Sequence, residues 1–443
     1  MKRILLSLGL TLLSVSALAV KGDYPAVKLS VNSETGLFAK GEKIVFSGRL
    51  VKPVTEPLSM VILREALPVD TLEVTLTSKD TPIYECSFDE TASVIVRVGP
   101  SSDLKSYKDA GAVVAPENYR PGFDDPADFV QYWEGQKAAL RASKPEATMT
   151  PVEMPEGAKP GYEAFALEIS MPEGRPVHGY VVKPVEAKVG SIPIIMSFHG
   201  AGVNKPHNKS SLNTAASNAT YGKGAISIDM NAHGYPDDQP QSYYDDLEHG
   251  DLAGYRTRRL TTREDYYFRL MVLRALRALD YLCTLPEWDG KRVVVSGGSQ
   301  GGFQSMALAG IDSRVTYIKV GNPAHTDLAS PRQGRKQAWP AVYERIMKSK
   351  KESAIIEDIL PYFDASNFIR HTNAILDVSV GLQDTTCPTG CVLAAYNVCP
   401  SKDKTIWINP FNGHGAKMDK EQKAEFKRLV DVPRWEKLNE YMK

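Results

Sequence analysis

Two different patterns of apolar and polar residues divide the chain. Between about residues 20 and 112, short runs alternate apolar with polar positions and are separated by turn residues, as in residues 43–47 and 92–98. Such alternation is typical of half-buried antiparallel strands. No useful length of helical periodicity interrupts these runs. We therefore predict a small immunoglobulin-like β-sandwich over residues 20–112.

Beyond a proline-rich linker the apolar runs become continuous. Ile192–Phe198 and Val293–Val295 are examples, and such runs indicate strands buried on both faces of a parallel sheet. A strong amphipathic pattern between them predicts a helix over residues 264–283. Strands alternating with helices indicate one large α/β domain over residues 113–443. The other predicted elements are strands at residues 225–229, 315–321, 375–380 and 405–408 and a helix ending near residue 140.

The first nineteen residues resemble a secretory signal rather than part of a fold. Lys2 and Arg3 precede a 13-residue apolar run, and Ala17-Leu18-Ala19 supplies the small residues of a cleavage site. The run is shorter than the roughly 20 residues that a membrane-spanning helix needs. A buried core helix is the alternative reading. We predict cleavage after Ala19 and a periplasmic or secreted protein.

Composition narrows the classes of function. The 443 residues carry 53 Lys and Arg against 53 Asp and Glu, and this balance argues against nucleic acid as the main ligand. The five cysteines have no spacing typical of zinc ligands, and their odd number leaves at least one without a partner in the chain. No dinucleotide, P-loop or metalloprotease motif is present. The sequence predicts no metal and no cofactor, and it leaves disulfide connectivity and oligomeric state open.

The motif with the clearest chemistry is Gly297-Gly298-Ser299-Gln300-Gly301, which has the form G-x-S-x-G. It follows a predicted buried strand and precedes a predicted helix, the context in which a serine is raised on a tight turn into a cleft. A glycine-rich turn with a capping serine is the plainer reading. The strand and the helix on either side favour Ser299 as a nucleophile.

A serine nucleophile needs a base, and the base needs an acid. His414 lies in a glycine-flanked loop near the end of the chain, whereas His371 precedes its strand and so lies at the wrong end of the sheet. Asp384 directly follows a predicted strand. Asp403 and Asp419 are the competing acids. We predict Ser299, His414 and Asp384 as a triad in the chain order that this type of fold uses.

The remaining candidates lie after other strands. The backbone amides of Ala201 and Gln300 are predicted to bind the oxyanion of an acyl-transfer intermediate. His199 is interpreted as shaping its loop, and His233 either contacts substrate or orients a loop. Two aromatic residues complete the candidate substrate pocket. These are Tyr235, in a stretch that is either a sugar-binding rim or a solvated loop, and Trp339, in a segment where caps are often inserted.

With these residues assembled, most of residues 120–443 resembles the acetyl xylan esterase and cephalosporin-C deacetylase family, carbohydrate esterase family seven. The matching stretches are Asp128-Phe129, Phe198-His199-Gly200, Tyr266-Tyr267, Arg277–Asp280, Leu285-Pro286-Glu287, Gly297–Gly302, Gly381–Asp384 and Cys387-Pro388. The resemblance implies an α/β-hydrolase fold with a mostly parallel sheet flanked by helices. It also implies Ser299 as nucleophile, His414 as base, Asp384 as its partner, and removal of acetyl groups from sugar hydroxyls without a cofactor.

The chain departs from the family pattern at three places. Ala201 stands where the family usually has Tyr, Ala232–Tyr235 replaces an Arg-Gly-Gln motif, and His414 is followed by Gly415 rather than Glu. We therefore predict an exported serine esterase that acts on acylated carbohydrate. The alternatives are a serine peptidase of the prolyl oligopeptidase type and an inactive glycan-binding protein with a hydrolase fold.

Overall fold

The computed structural model of the protein describes residues 24–103, 105–347, 350–415 and 418–443. The predicted signal segment 1–19 lies outside the described residues. Eight strands come first along the chain. They are β1 (Val27–Val31), β2 (Leu37–Phe38), β3 (Ile44–Leu50), β4 (Leu58–Arg64), β5 (Leu67–Val74), β6 (Thr81–Cys86), β7 (Ala92–Pro100) and β8 (Lys108–Val114).

These strands form two sheets that share one core. A three-stranded sheet has the order β1-β3-β6, and a five-stranded sheet has the order β2-β8-β7-β4-β5. Alternate residues of both sheets point inward, among them Phe46 of β3 and Val96 of β7, which are fully buried. The last strand continues two residues beyond the predicted limit of 112. The division of the chain into separate domains stays a prediction.

A nine-stranded sheet occupies the centre of the rest of the chain. The order of its strands is β17-β16-β15-β14-β12-β13-β11-β10-β9. The six strands on one side, β17 through β13 in this order, pair in parallel. Each pair from β13 through β11 and β10 to β9 is antiparallel. The mostly parallel sheet that the continuous apolar runs predict is therefore present. The strands are β9 (Ala147–Val152), β10 (Tyr162–Ile169), β11 (Val177–Pro184), β12 (Ile192–Phe198), β13 (Ile226–Met230), β14 (Trp288–Gly298), β15 (Tyr317–Gly321), β16 (Ile375–Gly381) and β17 (Lys404–Asn409).

Helices cover both faces of this sheet. The two longest that flank the site are α4 and α5, and both are almost entirely buried. Within the described residues, no helix is both long and apolar enough to span a membrane. The helices are α1 (Phe129–Arg141), α2 (Leu212–Asn218), α3 (Gln241–His249), α4 (Tyr267–Leu282), α5 (Gln300–Ile311), α6 (Val342–Ile346), α7 (Lys350–Ile359), α8 (Ala365–Phe368), α9 (Thr389–Val398), α10 (Lys420–Phe426) and α11 (Val432–Tyr441).

The apolar face of α4 generates a prediction about stability. Leu276 is fully buried in the main core, so replacing it with Ala removes buried methyl groups and leaves a cavity. We expect Leu276→Ala to lower the free energy of unfolding by about 2–5 kcal/mol, measured by urea denaturation. Val130 on α1 is half exposed, and Val130→Ala is the control, with a change of about 0.5 kcal/mol or less. Equal effects of the two changes would contradict this account of the core.

Candidate active site

Ser299 lies on the turn that joins β14 to α5. Its backbone has φ 53° and ψ −122°, a conformation that residues other than glycine rarely adopt. The turn is held by the Ser299 amide, which donates to the Gly321 carbonyl at 3.0 Å, and by the Ser299 carbonyl, which accepts from the Ala324 amide at 2.9 Å. The hydroxyl is raised above the carboxyl end of the sheet, as the motif predicts.

Two glycines of the motif are required by close approach of the backbone. A Cβ atom on Gly297 would lie 2.5 Å from the Gly301 carbonyl carbon. A Cβ atom on Gly301 would lie 2.1 Å from the Phe198 carbonyl oxygen at the end of β12. Neither backbone atom can move without disturbing a central strand or the start of α5. The turn therefore needs glycine at both positions.

The structure brings the three predicted polar residues together. The His414 Nε2 atom lies 3.0 Å from the Ser299 Oγ atom, and the His414 Nδ1 atom lies 2.8 Å from the Asp384 Oδ2 atom. Asp384 is fully buried, and its other oxygen accepts from the amides of Thr386 and Cys387, both at 2.8 Å. This arrangement orients the imidazole so that Nε2 faces the serine hydroxyl.

The competing residues lie elsewhere with other partners. His371 pairs with Asp125 at 3.1 Å and stacks on Phe129. Asp403 pairs with Lys437 at 3.0 Å, and Asp419 caps the start of α10. None of the three is within contact of Ser299 in the described structure.

The buried carboxylate of Asp384 acts on the proton affinity of His414. Burial by itself lowers the pKa of this imidazole, but the adjacent carboxylate of Asp384, with a smaller contribution from Cys387, raises the pKa above its ordinary value. Burial also raises the pKa of the neighbouring Cys387 thiol, which stays neutral. The Asp384 carboxylate therefore stabilises the imidazolium that forms when His414 takes a proton.

The two predicted oxyanion amides belong to the residue after Ser299 and to the loop after β12. Gln300 is the first residue of α5, and its amide is one of the free N–H groups at the start of that helix. Ala201 lies in the loop after β12, which is the parallel neighbour of β14. Among the described residues neither amide donates to a protein acceptor. Both amides are thus available to a negatively charged oxygen.

His199 and His233 lie beneath this loop as neutral residues. His199 donates from Nδ1 to the Gly200 carbonyl at 2.7 Å and accepts at Nε2 from the Ala232 amide at 2.9 Å. His233 donates from Nε2 to the Gly202 carbonyl at 3.1 Å. Burial lowers the pKa of His199 to about 4 and the pKa of His233 well below its ordinary value. Both residues support the loop, and neither contacts Ser299.

Tyr255 is the residue that the sequence did not single out. Its hydroxyl donates to the Gln300 Oε1 atom at 2.6 Å and accepts from the Gly202 amide at 3.3 Å. Burial raises the pKa of Tyr255, so the hydroxyl keeps its proton. Tyr255 therefore links the Gly202 loop to Gln300, the two segments that carry the predicted oxyanion amides. The region from 235 to 255 contains several tyrosines, and no local pattern shows which of them turns inward.

Trp339 and Tyr235 differ in their relation to the site. The Trp339 amide donates to the Thr386 carbonyl at 2.8 Å, and the Trp339 ring lies 6.3 Å from that of Tyr255. Trp339 therefore borders the acid loop, which is the segment 382–388 between β16 and α9 that carries Asp384. The Tyr235 hydroxyl instead donates to Asp251 at 2.6 Å beneath the guanidinium of Arg175. Trp339 thus contacts the loop that follows Asp384, and Tyr235 belongs to a neighbouring polar cluster.

All five cysteines lie among the described residues, and none is paired with another. Within the part of the chain that the structure describes, no group of three or more His, Cys, Asp or Glu side chains is arranged to hold a metal ion.

A mostly parallel sheet with a serine on a strained strand-to-helix turn defines the class of α/β-hydrolases. Within that class the chain belongs to the acetyl xylan esterase (AXE1) family, whose pattern matches residues 115–430. The family is one of carboxylic ester hydrolases. The predicted fold class and the predicted family are thereby confirmed.

Individual relatives agree with this assignment. The acetyl esterase Axe7A of Xylanibacter ruminicola is 28% identical over 308 residues, which cover 68% of this chain and 66% of that protein. The chain thus spans slightly less than two thirds of that relative's length. The acetyl xylan esterase structures from Paenibacillus sp. R4 and Thermoanaerobacterium sp. JW/SL YS485 are each 25% identical. Each match covers 72% of this chain, together with 98% of the Paenibacillus chain and 97% of the Thermoanaerobacterium chain. The TM-scores are 0.58 and 0.54, respectively.

The contact between Asp384 and His414 generates a prediction that needs no substrate. In Asp384→Asn the carboxylate is lost while burial remains, so we expect the pKa of His414 to fall to about 6.5 or lower. Titration of the imidazole by NMR measures this change. The control is Asp403→Asn, because Asp403 pairs with Lys437 on the surface. An unchanged His414 titration in Asp384→Asn would show that the carboxylate does not act on the imidazole.

Proposed function

We propose that the protein removes acetyl or similar small acyl groups from carbohydrate hydroxyls by a serine esterase mechanism. The observation that carries the proposal is the hydrogen-bonded series from Asp384 through His414 to Ser299 in a chain of the acetyl xylan esterase family. The family points to acetylated carbohydrate as the substrate class. The contacts among these residues support Ser299 as the nucleophile, His414 as the base and Asp384 as its partner.

In the acylation half, the Ser299 hydroxyl attacks the ester carbonyl as its proton passes to His414 Nε2. The carbonyl oxygen becomes an oxyanion between the amides of Ala201 and Gln300. Asp384 stabilises the imidazolium through Nδ1. When the tetrahedral intermediate collapses, His414 gives the proton to the departing sugar oxygen, and the acyl group stays on Ser299.

In the deacylation half, water replaces the sugar hydroxyl. His414 takes a proton from the water as its oxygen attacks the acyl carbon, and the same two amides hold the second oxyanion. Collapse breaks the bond to Ser299, and His414 returns a proton to the serine oxygen. The products are a free sugar hydroxyl and a carboxylic acid.

The N-terminal region argues against the peptidase alternative. Peptidases of the prolyl oligopeptidase type carry a large propeller, whereas the described residues before Val114 form two sheets of three and five strands. The inactive-protein alternative is disfavoured because Ser299, His414 and Asp384 are all in hydrogen-bonding contact. Export after Ala19 belongs to the proposal as well, since residues 2–19 have the basic start, the short apolar run and the small-residue end of a secretory signal.

Removing the nucleophile tests the proposed reaction. We expect Ser299→Ala to lower kcat by about 10⁶, because residues that act as a unit lose nearly all of their effect together. Acetate released from acetylated xylo-oligosaccharides and hydrolysis of p-nitrophenyl acetate give the rates. Ser313→Ala changes an exposed serine on the turn after α5 and is expected to keep the wild-type rate. Near-wild-type hydrolysis by Ser299→Ala would refute the proposal.

Removing the Tyr255 hydroxyl tests the oxyanion site. Tyr255→Phe leaves the ring in place but removes the hydroxyl that links Gln300 to the Gly202 loop. The amides of Ala201 and Gln300 are then held less firmly for binding one oxyanion. We expect kcat to fall about 10-fold with little change in KM, less than the 10²–10³ lost with an oxyanion donor itself. The control is Tyr244→Phe, which removes a hydroxyl that donates to the Pro236 carbonyl. A change in KM alone would assign Tyr255 to substrate binding instead.

A further inference from the structure

The N-terminal sheets make backbone contact with the loop that carries Asp384. Leu382 is 1% exposed and lies in a notch between Gly36, just before β2, and Gly111 of β8. A Cβ atom on Gly111 would lie 2.4 Å from the Leu382 carbonyl oxygen, and one on Gly36 would lie 2.3 Å from the Leu382 Cδ1 atom. The Leu382 carbonyl thus rests directly on strand β8, two residues before the carboxylate.

A second contact reaches the other side of the same loop. The turn between β4 and β5 places the Glu65 carbonyl where it accepts from the Lys336 amide at 3.0 Å. Glu65 is buried, and its carboxylate accepts from the Tyr119 hydroxyl at 2.7 Å. Three residues after Lys336, the Trp339 amide donates to the carbonyl of Thr386, two residues beyond Asp384. The sandwich therefore supports both ends of the acid loop, directly at Leu382 and through the 336–339 segment at Thr386.

The acid loop is joined in turn to the loop that carries His414. The Gln383 amide donates to the Asn412 carbonyl at 3.0 Å. A Cβ atom on Gly381 would lie 2.3 Å from that carbonyl oxygen, so the two loops are in close backbone contact. A shift of the Leu382 backbone is consequently transmitted to Asp384 and to the residue two positions before His414.

We propose that the N-terminal β-sandwich is a positioning element for catalysis. It holds the Asp384 loop where the carboxylate can hydrogen-bond to His414. This inference rests on the proposed function, and it concerns a part of the chain that precedes the matched family region, which begins at residue 115. The sandwich does not touch the reacting atoms. It acts through Leu382, because the strand backbone at Gly111 fixes where the Leu382 carbonyl can lie.

The geometry sets the size of the expected effect. Asp384 and His414 are joined by one hydrogen bond of 2.8 Å, which a displacement of 1 Å would break. Displacements of that size in positioned catalytic groups cost about 10²-fold in rate. Gly111 has no positive φ, and the three atoms nearest to a Cβ at this position all belong to Leu382. Gly111→Ala is therefore a local probe of the contact.

The test compares Gly111→Ala with Gly48→Ala in the full mature chain. Gly48 lies in β3 of the other sheet, where a Cβ atom would meet side chains of Leu29 and Leu76 inside the sandwich. We expect Gly111→Ala to lower kcat by 10-fold or more with KM nearly unchanged and to lower the pKa of His414 in an NMR titration. Gly48→Ala is expected to change neither quantity.

A double-mutant comparison separates positioning from general loss of structure. In an Asp384→Asn background the carboxylate is already absent, so Gly111→Ala is expected to cost less than a further twofold in kcat. If Gly111→Ala does not fold, as judged by circular dichroism, Leu382→Ala removes the side chain from the notch and is expected to give the same two changes. A wild-type kcat together with a wild-type His414 titration in the folded variant would overturn the proposal.

The titration also keeps this inference distinct from the proposed function. If the wild-type chain hydrolyses no acyl ester, the proposed function fails, yet the His414 titration still shows whether Gly111 acts on the Asp384 contact. If the wild-type chain is an esterase and Gly111→Ala alters neither readout, the positioning role fails and the esterase function stands.

Discussion

The structure of the site depends on the carboxylate of Asp384, which is buried and fully hydrogen-bonded. Asp384 is fully excluded from solvent, a state that is unfavourable for a charge unless hydrogen bonds replace water. Two loop amides and His414 supply those bonds. The loop must therefore keep one shape, and the close contacts at Gly381 and Leu382 are the means by which neighbouring segments hold that shape.

His199, His233 and His414 show how the neighbouring groups set the direction in which the pKa of a buried imidazole shifts. His199 and His233 are buried among carbonyls, amides and a tyrosine, so burial keeps them neutral. His414 is also buried, but a carboxylate faces it, and the pKa moves in the opposite direction. Of these three imidazoles, only that of His414 has its pKa raised above the ordinary value. The other two residues serve as hydrogen-bonding supports for the loop of Ala201.

The order of strands explains why distant segments meet. β12, β14, β16 and β17 run parallel, so the Ala201 loop, Ser299, Asp384 and His414 all lie at the carboxyl edge of one sheet. β12 and β14 are direct neighbours, which places the Ala201 loop beside the start of α5. The sandwich, the Trp339 segment and Tyr255 then surround these loops and restrict their positions.

Much of this could be read from the sequence, because local chemistry determines it. Continuous apolar runs marked the parallel strands, the glycines around Ser299 marked the strained turn, and Asp384 and His414 each followed a predicted strand. Tyr255, the notch at Gly111 and the neutral state of His199 could not be read in this way. Each depends on a contact between residues far apart in the chain, and single-sequence periodicity carries no information about which side chain or carbonyl will lie opposite. The amino-acid sequence by itself thus determined the strands, the turn and the reactive residue types, whereas the packing of separate segments alone decided how those residues are held and charged.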